Sequence, residues 1–333
     1  MKIKEITEGV PVVGRFLIIE NQLKVTKNGS NYLAMRIGDP TGELAVKVWN
    51  ADEVLFRLLE VGRVMEIRNT PPKCYKEQIQ LELDGKNPGG FQVVSDSEVD
   101  FSQFLPTTPN DIGNLWQYLS QTMAAIKNVH LCKVLEFFFG RPEFVTHFMK
   151  VPAALKRHHA YLGGLLEHTA GVTAMCEAAA QYYPHIDQDL LITGAILHDI
   201  GKTRTYKLEK GFDGTDEGKF IGHLVIGIEM VSHAIEATFG TMDAAKTLLK
   251  NNLLHLLVSH HGIMEWGSPV EPLTIEACIL HHADNMDAQV TKFLTIIRGD
   301  QSAGWSAYDP GLGRSIYINR PSYNAEEDLS EGA

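Results

Sequence analysis

The chain has 333 residues, 44% of them hydrophobic and 21% charged, enough for two domains and a large apolar core. No apolar run approaches the roughly 20 residues needed to span a bilayer, which excludes a membrane-helix protein. A net charge of -11 argues against indiscriminate adhesion to nucleic acid, but residues 1–95 carry 13 Lys+Arg against 12 Asp+Glu, and 96–333 carry 17 against 29.

In chain order, residues 1–95 read as β structure. Short alternations at 15–19, 32–37 and 44–49 are separated by the turn signals Lys27-Asn28-Gly29-Ser30 and Asp39-Pro40-Thr41-Gly42. A short helix over 52–59 precedes strands near 64–68 and 78–83. About five strands with one helix suit a small OB-type barrel. Tyr32, Trp49 and Tyr75, with Lys24, Lys27, Arg36, Lys47 and Lys73 near them in sequence, are candidates for a base-stacking face with cationic edges. The plainer alternative is that the aromatics fill the barrel.

Residues 96–110, rich in Ser, Asp, Pro and Thr, read as a linker, and Asn110 or Asp111 as the cap of a helical domain over 111–304. Helical periods fall at 111–127, 130–139, 142–150, 153–182, 188–203, 223–239, 242–261 and 273–298. The tail, 305–333, becomes acidic after Tyr323, and its last ten residues are expected to be disordered. The N-terminal MKIKEITEGVPVVGRF lacks the features of a secretory signal. Cys74, Cys132, Cys176 and Cys278 form no CxxC pair, so a cytoplasmic protein with reduced thiols is expected.

Most of the fourteen histidines lie between His147 and His282. The informative ones sit at helix ends or among small and apolar neighbours: His168 in GGLLEHTAGV, His198 with Asp199 in AILHDIGK, His223 in FIGHLVIG, and His260 with His261 in LLVSHHG. Asp284 sits in LHHADNMDAQV. A single such histidine is more often a hydrogen-bonded core residue. A carboxylate among Ile, Leu and Ala, however, is costly unless a cation or donors compensate it. Five histidines and two aspartates recurring in that setting point to one multinuclear metal site. Imidazole and carboxylate donors without thiolates suit Mn²⁺, Fe²⁺, Co²⁺, Ni²⁺ or Zn²⁺.

This ordered set resembles the HD-domain phosphohydrolase superfamily, a helical fold that hydrolyses phosphate esters with divalent metals. With the OB-type segment in front, HHAYLGGLLEHT, AILHDIGKT, DEGKFIGH and LHHADNMDA resemble the YhaM-type 3′–5′ exoribonucleases over nearly the whole chain. The resemblance implies two divalent ions, Mn²⁺ first among the candidates, bridged by Asp199. His168, His198 and Asp284 would complete one shell and His223, His260 and His261 the other, with Asp199 also orienting the attacking nucleophile. Lys202 is a candidate contact for the scissile phosphate or leaving oxygen, against the alternative of a helix-end cation. His158 or His159 would supply a further phosphate contact or a general acid, and Asp287 a contact to the nucleoside sugar. His281 or His282 could orient a ligand, and Glu167 reads as surface.

The expected substrate is single-stranded nucleic acid, RNA before DNA, with Tyr32 and Trp49 as binding residues and a homo-oligomer as one assembly. Two alternatives stay open: a hydrolase of small or cyclic nucleotides, and a replication-associated DNA-binding factor.

Overall fold

The computed structural model describes residues 1–75, 78–87, 89–155, 159–208, 211–299 and 303–319. Two compact units emerge. One comprises Met1–Pro109 with the short hairpin Tyr206–Gly214; the other comprises Asn110–Thr205 and the chain from Thr215 on.

In the first unit, β1 (Val12–Val25), β2 (Asn31–Asp39) and β3 (Gly42–Trp49) form an antiparallel meander. The Asn-Gly signal closes its first hairpin, with Gly29 at φ 81° and the Thr26 N–H donating to Ser30 O at 2.8 Å. The helix α1 (Glu53–Leu58) is capped by the Asp52 carboxylate, which accepts from the Leu55 N–H. Four more strands follow: β4 (Val64–Thr70), β5 (Lys73–Tyr75), β6 (Gln78–Asp84) and β7 (Phe91–Val93). The sheet order is β5-β6-β3-β2-β1-β4-β7, with β3 and β6 parallel. A meander whose first strand pairs β4 and whose third pairs β6 in parallel is the pairing of an OB barrel. The two strands beyond the expected five are the three-residue β5 and β7, too short to leave an alternating pattern. Alternation elsewhere is clean: Leu33, Met35 and Ile37 of β2 and Leu44, Val46 and Val48 of β3 point inward with Phe16, Ile18, Met65 and Leu81.

The second unit begins with α2 (Ile112–Ala125), capped by Asp111 as expected, then α3 (Val129–Phe139) and α4 (Pro142–Phe148). The helix expected over 153–182 is shorter: α5 spans Gly164–Tyr182. His159 at φ 55° and Gly163 at φ 81° are left-handed, and a right-handed helix cannot pass through either. The helix expected over 188–203 is also broken. It is α6 (Gln188–Leu197), a turn at His198–Gly201, and α7 (Lys202–Thr205). A hairpin of β8 (Tyr206–Lys207) and β9 (Asp213–Gly214) precedes α8 (Asp216–Ile221), whose six residues are too few for a periodic signal. Then come α9 (His223–Thr238), α10 (Ala244–Ser259) and α11 (Ile275–Gly299). Part of the tail forms a small sheet of β10 (Gly304–Trp305) and β11 (Tyr317–Ile318). The last ten residues, expected to be disordered, lie outside the described residues.

The helix α6 is buried from Leu190 to Leu197 and forms the centre of this unit. Among the described residues no helix is long and apolar enough to cross a membrane, and the four cysteines are free.

Candidate metal centre

Helix ends explain how several candidate ligands are aimed. The last carbonyls of an α-helix have no intrahelical donor. His198 follows α6 and donates Nδ1–H to Ala195 O at 2.7 Å; His260 follows α10 and donates Nδ1–H to Leu257 O at 2.8 Å. Each histidine therefore caps the helix it follows through the carbonyl three residues back. His261 makes the equivalent bond to Trp266 O at 2.8 Å. Because these carbonyls can only accept, Nδ1 carries the proton in all three rings and a neutral ring has its lone pair on Nε2.

Those nitrogens converge with the other candidates. His168 on α5 is 1% exposed, and its Nε2 lies 3.1 Å from His198 Nε2, 3.1 Å from Asp284 Oδ1 and 3.3 Å from Asp199 Oδ2. Asp199, 2% exposed, divides its oxygens. Oδ2 faces His168 and His198, each at 3.3 Å, whereas Oδ1 faces His223 Nε2 at 3.4 Å and His260 Nε2 at 3.7 Å. The His261 ring centroid is 4.5 Å from that of His260 and 5.2 Å from that of His223. Among the described residues four sets of potential ligand atoms result: His168–His198–Asp284, His223–His260–His261, His198–Asp199–His260, which links those two, and His159–His168–Asp287. On α11, His281, Asp284, Asp287 and Thr291 follow one another at three- and four-residue spacing along one helix face.

Backbone proximity brings the sets together. A Cβ at Gly201 would sit 2.0 Å from His223 O and 2.7 Å from Gly227 N, so only glycine lets the turn after Asp199 approach the start of α9. Gly262, at φ 84°, would drive a Cβ into the His281 ring at 2.1 Å.

The donor set fits a divalent cation. Asp199 Oδ1 and His223 Nε2 are buried without a hydrogen-bond partner although only 3.4 Å apart. Buried polar atoms are rarely left so, and an ion accepting both would account for them. Burial opposes ionisation of Asp199, but Lys202 and the adjoining histidines outweigh it and hold the carboxyl well below its usual range. Burial pushes His223 down to about 3 and His260 well below its ordinary value, so both rings present a lone pair at neutral pH. At His168 burial works against protonation, yet Asp199, Asp284 and Asp287 raise the ring well above its ordinary value. An ion at that position would therefore displace a proton.

Other candidates are placed differently from expectation. Lys202 is 7% exposed and donates from Nζ to Asp199 Oδ2 at 2.5 Å, an internal ion pair rather than an ammonium open to a phosphate. His159 is 3% exposed, with Nδ1 2.8 Å from the Tyr161 hydroxyl and Nε2 2.8 Å from Asp287 Oδ2. Both of its ring nitrogens are thus engaged by neighbouring side chains. His158 lies outside the described residues. Asp287 turns to His168 and His159, at 2.7 and 2.8 Å, so its Oδ2 is committed to imidazoles rather than a sugar. His281 donates to His260 O at 2.8 Å, orienting a ligand's backbone; His282 is exposed. Glu167, read as surface, accepts from Asn110 at 2.9 Å. Sequence reasoning did not include Ala195, Leu257 and Trp266, whose carbonyls fix the imidazoles. For the first two, the signal was a histidine directly after an apolar helix.

On the first unit, Lys24, Tyr32 and Trp49 stand opposite one another across β1, β2 and β3. The Tyr32 and Trp49 ring centroids are 5.1 Å apart, and Lys47 Nζ lies 4.7 Å from the Tyr75 centroid and 5.7 Å from that of Trp49. Tyr32 and Trp49 alternate with the buried residues of β2 and β3, and Tyr75 is exposed on β5, so none of the three fills the barrel. Two of the cations are partly neutralised, Lys73 by Glu82 at 2.8 Å and Arg36 by Glu43.

An OB barrel joined to a helical unit whose core is a histidine–aspartate cluster defines an HD-type protein, and the HD domain model matches residues 165–289. Three curated proteins called 3′-5′ exoribonuclease YhaM are similar to nearly the whole chain. That of Bacillus subtilis is 33% identical over 284 residues, 84% of this chain and 85% of its own length. The Bacillus velezensis protein is 31% identical over 84% of this chain and 85% of itself. The Listeria innocua protein is 31% identical over 91% of this chain and 94% of itself. The chain belongs to the YhaM family. A solved OB domain from Thermoplasma acidophilum covers 28% of this chain at 15% identity and a TM-score of 0.22; the OB assignment rests on the strand pairing.

Proposed function

We propose that the chain is a metal-dependent 3′–5′ exoribonuclease, with an OB segment at 1–95 that captures single-stranded RNA and a helical domain at 111–304 that cleaves it. The carrying observation is Asp199, whose two carboxylate oxygens each turn to a different histidine set, with Oδ1 and His223 Nε2 buried and unpartnered. Two divalent ions, Mn²⁺ first among them, would be held by His168, His198 and Asp284 on one side and His223, His260 and His261 on the other, sharing Asp199. When bound, they supply Lewis-acid polarisation of the phosphate and neutralise its developing charge.

The chain's own groups do the rest. His198, His260 and His261 stay aimed because their Nδ1 atoms are tied to backbone carbonyls, so little reorganisation accompanies binding. Lys202 places a buried ammonium beside Asp199, where it offsets part of the carboxylates' charge as a phosphate approaches. Tyr32 and Trp49 offer stacking surfaces that tolerate any base, and Lys24 and Lys47 offer backbone contacts, as progressive degradation requires. The direction of attack and the preference for RNA come from the likeness to the YhaM proteins.

The test is degradation of 5′-labelled single-stranded RNA with Mn²⁺, beside the matching DNA, a 3′-phosphorylated RNA and a dinucleotide. A ladder shortening from the 3′ end, stopped by the 3′ block, is expected. Turnover of the dinucleotide alone would overturn the polymer substrate, and undiminished activity in Asp199→Asn would overturn the site.

A further inference from the structure

Behind His168, on the side away from Asp199, lies a chain of polar groups that the proposed reaction does not use. His168 donates Nδ1–H to Asp287 Oδ2 at 2.7 Å, and the same oxygen accepts from His159 Nε2 at 2.8 Å. Since the ionised carboxylate only accepts, each ring must carry its proton on the nitrogen facing Asp287. On its other side, His159 Nδ1 lies 2.8 Å from the Tyr161 hydroxyl, and Thr291 Oγ1 lies 3.2 Å from Nε2.

Three features show that this arrangement is built in. His159 is 3% exposed and holds φ 55°, a conformation that non-glycine residues rarely keep unless their surroundings impose it. The α5 helix carries glycine where the network touches it: a Cβ at Gly171 would lie 2.7 Å from Asp287 Oδ1, and one at Gly164 would lie 2.1 Å from His159 O. Finally, His168 differs from its fellow ligand candidates. His198, His260 and His261 are oriented by backbone carbonyls, whereas His168 relies on a carboxylate from another helix.

We propose that Asp287, seated by His159 and Tyr161, is a positioning residue that fixes the tautomer and tilt of His168 and so sets cation affinity in the His168–His198–Asp284 half of the centre. The inference rests on the two-metal reading of the same site. Removing such an outer partner typically weakens metal binding by about 10- to 100-fold.

Calorimetric titration of the metal-stripped full chain with Mn²⁺ is the test, with His168→Ala and His261→Ala marking which binding class belongs to which half. In Asp287→Asn the class lost in His168→Ala should weaken by about 10- to 100-fold, with the other class within about twofold of wild type. His159→Ala should weaken the same class, and His159→Gln, which keeps a side-chain donor, should recover most of it. The His159 pair decides the matter if Asp287→Asn fails to fold. Unchanged affinity, or equal weakening of both classes as general destabilisation would produce, overturns the proposal. Wild type that binds no Mn²⁺ would instead overturn the metal reading beneath it.

Discussion

The barrel and the helical unit use their interiors in opposite ways. Inside the barrel stand Phe16, Ile18, Leu33, Ile37, Val48, Met65 and Leu81, each at 0% exposure, and the residues proposed to meet nucleic acid are outside. Inside the helical unit His168, His198, Asp199, Lys202 and His260 are all at 7% exposure or less, so the chemistry occupies the place where apolar packing would contribute most. A barrel of the first kind gains stability from its core and can change its outer face freely. A bundle of the second kind depends on charge compensation, and its fold and its chemistry cannot be altered separately.

The sharpest break between the two comes from Asp199→Asn, which keeps the volume but removes the charge shared by both histidine sets. Degradation of single-stranded RNA, read as initial rate at saturating Mn²⁺, should fall by about 1,000-fold, while RNA affinity of the barrel stays within about twofold. Metal removal comes next. If free Mn²⁺ stands at about 100 times Kd, chelation withdraws about 3 kcal/mol of linked stability. In calorimetry this should lower the melting of the helical unit by about 5–10 °C and leave the barrel's transition in place; equal shifts in both would contradict the comparison.

Trp49→Ala acts on the other side. Losing a stacking platform should weaken single-strand binding by about 1–3 kcal/mol, about 5- to 150-fold in a fluorescence titration, without changing turnover of a dinucleotide. The smallest effect concerns thiols. Burial, with the charges of Asp284 and Glu177, pushes Cys176 up to about 12, so it stays protonated as pH rises through 9. Iodoacetamide at pH 8–9 should label the exposed Cys74 and Cys278 and leave Cys176 unmodified by peptide mass analysis, in the folded protein only.

How far the sequence could be read follows from the same contrast. The barrel was legible because alternation and two turn signals are local, and only the three-residue edge strands escaped. The candidate ligands were legible because a histidine or aspartate at an apolar helix end breaks the surrounding pattern. Helix bounds failed at 153–163 and 198–201, where left-handed residues or a tight turn interrupt an apolar run that continues in sequence; Pro152 and Gly163-Gly164 were the warning. The roles of Lys202, His159 and Asp287 were less legible, because each depends on a neighbour from another element or on burial. Nothing within α11 says that Asp287 meets a histidine 128 positions earlier.

The seat of His223 carries one more consequence. The absent side chain at Gly201 lets backbone meet backbone there, so the gap between the two halves is gauged by main-chain atoms instead of rotamers. Swapping one divalent ion for another of different radius should then be absorbed by small tilts of the rings, with α9 staying where it is. The spacing is then held like a caliper locked at one opening, and Gly201→Ala, whose added methyl would press on the His223 carbonyl, should shift His223 against Asp199 and weaken Mn²⁺ binding in a calorimetric titration.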